Sequence, residues 1–151
     1  MSNNILGPHP RVDDPSHLVV IGASAGGLQP LRQLVGQLPA DLPAALFVVV
    51  HVPATAPSAL ARLLDRVGPL PAWAADDLAP IEPGTVTTAR PDHHLLLARD
   101  HIRVTRGPRE NGHRPAIDPM FRTAAQAHAA AVTAVVLSGT LDDGSAGAVE
   151  V

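Results

Sequence analysis

Cysteine, lysine and tyrosine are absent from the 151 residues, and the aromatic class is reduced to Phe47, Trp73 and Phe121. Without cysteine there is no disulfide, no thiolate nucleophile and no Cys-ligated metal. Without lysine there is no Walker-type phosphate lysine, no Schiff base and no lysine general base. All 11 basic side chains are therefore arginine. A formal charge of −3 and few rings argue against a nucleic-acid module, which needs basic patches and stacking platforms. No apolar run reaches the length of a membrane span, and the first residues do not read as a secretion signal. These features suggest a cytoplasmic protein without membrane insertion. What remains is 46% hydrophobic, chiefly Ala, Leu and Val. A chain of this length fits one domain burying roughly 68–70% of its unfolded surface. With so few rings, the core is expected to rest on those aliphatic residues.

Residues 1–17 are polar, carry Pro8, Pro10 and Pro15, and read as a flexible lead-in. The domain is expected over 18–151. Leu18 to Ile21 is a short apolar strand, followed by the glycine-rich turn Gly22 to Gly27. Leu28, Leu31, Leu34, Val35 and Leu38 then recur at helical spacing. Ala45 to His51 has no polar alternation, as expected of a strand covered on both faces. Pro57 suits the opening of a second helix, with Leu60, Leu63, Leu64 and Val67 on one side. This β-α-β-α order predicts a parallel sheet with helical crossovers.

Shorter strands are expected at 70–75, 84–89, 94–98 and 102–105, the last two forming a hairpin across Arg99-Asp100. Residues 90–114 hold six Arg against three acids, a local charge of +3. Such a run is normally a solvated face, although it would also suit an acidic partner. A helix over 116–131 and a buried strand over 133–138 follow, then Gly139 to Gly144 and the start of a further helix at 145–151. The fold class is thus a single α/β domain, Rossmann-like and doubly wound, mainly parallel, with a hairpin insertion.

The chemistry-bearing residues sit where the strands end. Ser24 follows the first strand, His51 closes the second, and Asp142-Asp143 follow the last. In an open parallel sheet these ends converge on the ligand-binding edge. A serine, an imidazole and a carboxylate meeting there have the makings of a hydrolytic triad, which is recognised by roles and not chain order. Gly22 and Gly26 would let the chain turn about Ser24, and the first-turn amides near Ala25 and Gly26 would face an oxyanion. Phosphate binding is the competing reading of the turn. A dinucleotide fingerprint, however, wants glycine at Ser24 and an acid at His51. The segment Gly22-Ala23-Ser24-Ala25-Gly26 also fits a nucleophile elbow, but α/β-hydrolases place the acid before the histidine in the chain.

Four segments together resemble the bacterial chemotaxis protein-glutamate methylesterases, the CheB-type effector domain: Val20-Ile21-Gly22-Ala23-Ser24-Ala25-Gly26-Gly27, Val49-Val50-His51-Val52-Pro53, 114–125 (from Arg114-Pro115-Ala116-Ile117-Asp118) and 137–147 (through Gly139-Thr140-Leu141-Asp142-Asp143-Gly144). The resemblance implies Ser24 as nucleophile, His51 as base and Asp143 as the orienting carboxylate, with Ala25, Gly26 and Thr140 on the oxyanion or substrate side. It implies hydrolysis of glutamate γ-methyl esters on chemoreceptor helices, receptor glutamine deamidation in some members, and no metal or other cofactor. Ala25 stands where the family often has Thr, and Thr140 where many members have Met. On this resemblance the domain over 18–151 is expected to lack the family's last helix and strand. The resemblance also brings in a receiver domain or kinase, here expected to act in trans within a phosphorelay. The alternative is a non-catalytic signalling domain that binds a receptor or a response-regulator partner.

Two further constellations invite other chemistry. Asp92-His93-His94, with His101 and His113 nearby, suggests a metal, but neighbouring strand residues point to opposite faces. Glu82 and Glu110 do not suggest a glycosidase pair. No metal is expected.

Overall fold

The computed structural model describes residues 17–51 and 59–137. Ten regular elements follow in chain order: β1 His17–Ala23, α1 Leu28–Gly36, β2 Ala44–Val50, α2 Leu60–Val67, β3 Ala72–Ala74, β4 Val86–Thr88, β5 His94–Leu97, β6 Ile102–Thr105, α3 Ile117–His128 and β7 Val132–Leu137. Five strands form one sheet in the order β3-β4-β2-β1-β7, and every pairing in it is parallel. β5 and β6 form the expected hairpin, paired antiparallel from His94↔Thr105 to Leu97↔Ile102. The first strand starts one residue earlier than expected, at His17, whose Nε2 lies 2.6 Å from Thr133 Oγ1 of β7. The expected helix opening at Pro57 and the segment 145–151 lie outside the described residues.

Two apolar layers follow from the pleat, because alternate side chains leave opposite faces of the sheet. Leu18 and Val20 of β1, with Ala45, Phe47 and Val49 of β2, pack against α3 and the hairpin. Ile21 and Ala23, with Leu46, Val48 and Val50, pack against α1 and α2. All seven residues of β2 are buried, as their unbroken apolar run requires. The core is not purely aliphatic, contrary to expectation. Phe47 and Phe121 are fully buried in the α3 layer, each worth about 1.5–3 kcal/mol of transfer free energy. Trp73 lies instead on the edge strand β3 and is exposed.

The hairpin is fastened to α3 by hydrogen bonds. Leu97 N–H donates to Thr123 Oγ1 at 3.0 Å, and the His128 ring donates to Ala98 C=O at 3.0 Å. The arginines of 90–114 are largely spent on this insertion. Arg90 pairs with Asp76, Arg103 with Asp77, and Arg106 and Arg114 both with Asp92. Sequence could show the run of charge but not its partners, which lie as far as 26 residues away.

Candidate active site

The sheet order reverses about β1, which lies between β2 and β7 with all three strands running in the same direction. This is where doubly wound sheets open a crevice at their carboxyl edge. β1 and β2 stay in register to Ala23↔Val50, and His51 N–H continues the ladder by donating to Ala23 C=O at 2.9 Å. Ser24 and His51 therefore occupy the next positions side by side, about 5 Å apart by strand spacing. β7 ends at Leu137, opposite Ala23, on the other side of Ser24. The expected partners Asp143 and Thr140 lie outside the described residues.

Ser24 has extended backbone (φ −79°, ψ 174°) and precedes a 3-10 turn, Ala25–Gly27, that runs into α1. Its carbonyl accepts from Gly27 N–H at 2.9 Å, while its hydroxyl does not cap the turn. Ala25 and Gly26 are exposed in that turn. Gly22 has a different task from the one expected. It sits within β1 facing α3, and a Cβ there would overlap Ile117 Cγ2. Its missing side chain lets the start of α3 close on the strand just below Ser24.

A cleft of about 550 Å³ opens beside the pair. Leu28, Val50, Leu60 and Leu63 make it mainly apolar, His51 contributes one wall, and the exposed Arg62 and Arg66 of α2 also line it. Neither arginine forms an ion pair with another described residue. Neither is singled out by the sequence, in which the denser basic run lies at 90–114. The periodicity of α2 held the signal: Arg62 and Arg66 are one turn apart and so share a face.

His113 was also missed as a neighbour of the site. Its ring stacks on that of His51 with centroids 3.6 Å apart and planes 1° from parallel. The other histidines of the insertion have structural partners. His94 is buried, its Nε2–H donating to Pro108 C=O at 2.7 Å and its Nδ1 accepting Ala116 N–H at 3.3 Å. His93 Nδ1 bonds to Pro91 C=O at 2.8 Å. Arg114 holds Asp92 by two bonds, of 2.9 and 2.6 Å, and this pairing keeps the carboxyl below the ordinary aspartate value of 3.8. Among the described residues no group of three or more His, Asp or Glu is arranged to hold a metal ion.

Fold and edge together define a Rossmann-like α/β domain with a polar site at the carboxyl ends of its central strands. The family model of CheB methylesterase matches residues 19–151, and the chain belongs to that family. A protein-glutamate methylesterase/protein-glutamine glutaminase of Myxococcus xanthus is 39% identical over 135 residues, covering 87% of this chain and 39% of the relative. One from Anaeromyxobacter dehalogenans is 41% identical over 132 residues, covering 86% and 39%. The chain thus spans about two fifths of the length of these relatives. The crystal structure of the Thermotoga maritima CheB methylesterase catalytic domain superposes with a TM-score of 0.85 at 33% identity, covering 89% of this chain and 73% of that one. No helix among the described residues is long and apolar enough to cross a membrane.

Proposed function

We propose that this domain is a serine hydrolase that removes γ-methyl groups from glutamate esters on chemoreceptor helices. The observation that carries the reading is the strand register, which sets Ser24 and His51 side by side beside an apolar cleft. Ser24 Oγ attacks the ester carbonyl while His51 takes its proton. The tetrahedral oxyanion is met by amides of the turn at Ala25 and Gly26, with Thr140 contributing from beyond β7. His51 returns the proton to the departing methoxide, methanol leaves, and water attacks the acyl-serine by the reverse relay. Asp143 orients the imidazole and stabilises its charged form. With an amide in place of the ester, the same steps release ammonia, in keeping with the glutaminase activity in the relatives' names.

The cleft's composition supports a helical, acidic substrate. Its apolar wall suits the methylene stem and methyl group of an esterified glutamate. Arg62 and Arg66, one helical turn apart, suit unesterified glutamates nearby on the receptor helix. We place the reaction in the cytoplasm, under the control of a receiver domain or kinase. The test is methanol release from methylated receptor by the wild type and by Ser24→Ala. The reading requires release by the first and loss in the second. A wild type that binds receptor without releasing methanol would favour a non-catalytic signalling domain.

A further inference from the structure

We infer that His113 is a positioning residue that holds the His51 imidazole in its working plane. The inference rests on the reading of His51 as the base. The rings lie nearly face to face, with centroids 3.6 Å apart and planes 1° from parallel. Aromatic rings left to their own electrostatics choose offset or edge-on contacts with wider centroid spacing. A close parallel stack is therefore not the arrangement the two rings choose by themselves, and the segments that carry them are held in place.

Both supports are firm. His51 is tied to β1 through its own N–H, at 2.9 Å from Ala23 C=O. His113 sits in a tight turn closed by two reciprocal backbone bonds with Glu110, at 3.0 and 2.9 Å. The turn is then anchored to α3 at two points. Glu110 accepts from Arg122 at 3.0 and 3.3 Å, and Asn111 donates its side-chain amide to the buried Asp118 at 2.7 Å. Arg114, the next residue, is clamped by Asp92. A segment braced on both sides by ion pairs presents one flat ring to another flat ring.

The consequence concerns rotation about the outer torsion of His51. That torsion is broad for an imidazole, and nothing intrinsic to the side chain selects one ring plane. A general base works only when its nitrogen lies within hydrogen-bond reach of the proton it removes. With His113 covering one face, ring planes that tilt out of the stack collide with it, and the productive orientation is populated before substrate arrives. Because this restraint acts on the base and not on substrate contacts, its loss affects kcat and leaves KM unchanged.

The test uses the full 151-residue chain and methylated receptor, with kcat and KM measured for the wild type, His113→Ala, His113→Gln and His113→Phe. Removing the flat ring in the first two variants is expected to lower kcat about two- to tenfold, the range of an aromatic contact. Phenylalanine keeps the flat face without a titrating nitrogen and is expected to restore most of the rate. Matched thermal midpoints show that the turn still folds, and the Gln and Phe variants carry the comparison if Ala does not fold. Wild-type kcat in His113→Ala or His113→Gln overturns the inference, as does a Phe variant as slow as Gln. Ser24→Ala in the same assay separates the two levels. If it retains wild-type methanol release, the underlying reading of the site fails and this inference falls with it. If it is inactive while the His113 series is flat, only the positioning role falls.

Discussion

Gly22→Ala tests the packing that supports the site. The added methyl carbon would overlap Ile117 Cγ2 and lie 2.7 Å from Cδ1 and 2.8 Å from Cγ1, where ordinary contact is 3.4–4 Å. Ile117 cannot swing aside. It is β-branched, 2% exposed and at the start of α3, packed in the layer with Met120 and Phe121. The helix start must therefore move by roughly 1 Å, and overpacking of this kind costs about 1–3 kcal/mol. For a chain of this size that corresponds to a thermal midpoint lowered by about 2–12 °C. Ile117→Ala removes all three clashing atoms, at a cost of its own of about 2–5 kcal/mol for the cavity left behind. In the double variant the new methyl group enters that cavity, so the two losses should add to less than their sum. The assay is thermal and denaturant unfolding of the four proteins in a double-mutant cycle. A Gly22→Ala protein within about 0.5 kcal/mol of wild type, or strictly additive losses, would refute the close approach of α3 to β1.

Two other outcomes follow from charges in the structure. Reversing Arg62 and Arg66 to Glu should raise KM for methylated receptor, by up to about fivefold per position as expected for exposed ion pairs, while leaving kcat unchanged. Added salt should weaken wild-type binding and narrow the difference, and equal KM values at low salt would remove the acidic-substrate argument. Asp92 has its carboxyl lowered first by the Arg114 hydrogen bond, so its contribution to stability is complete above the ordinary value of 3.8 and is lost as pH falls through the lowered value. Asp92→Asn should therefore be less stable than wild type at neutral pH and lose less on acidification below 3.8, as read from denaturant midpoints. Parallel curves for the two proteins would contradict the pairing.

The centre of the sheet was legible in the sequence because β1 and β2 are covered on both faces, whereas the edge strand β7, expected to be buried, leaves Thr133 and Val136 exposed. Runs such as Phe47-Val48-Val49-Val50 need no polar alternation, and helical spacing between them implies parallel crossovers. Ser24 and His51 could be placed at one edge for the same reason: each follows such a run. What escaped is information held in contacts distant along the chain. Gly22 read as a turn residue, since only the folded molecule brings Ile117 over it. His113 read as one member of a histidine-rich stretch, since its stack with His51 spans 62 positions. The arginines of 90–114 read as a net-positive solvated run, since two of their partners, Asp76 and Asp77, lie outside it and meet Arg90 and Arg103 only in the folded chain.

Everything proposed for this site depends on Ser24 being a nucleophile activated by His51. The most direct measurement is labelling of the intact chain by a serine-directed fluorophosphonate, followed by mass mapping of the modified peptide. The expected result is a single adduct at Ser24, absent in Ser24→Ala and formed at least about 100-fold more slowly in His51→Ala, as loss of a general base requires. Equal labelling of Ser24→Ala, or an adduct that maps to another serine, would contradict it.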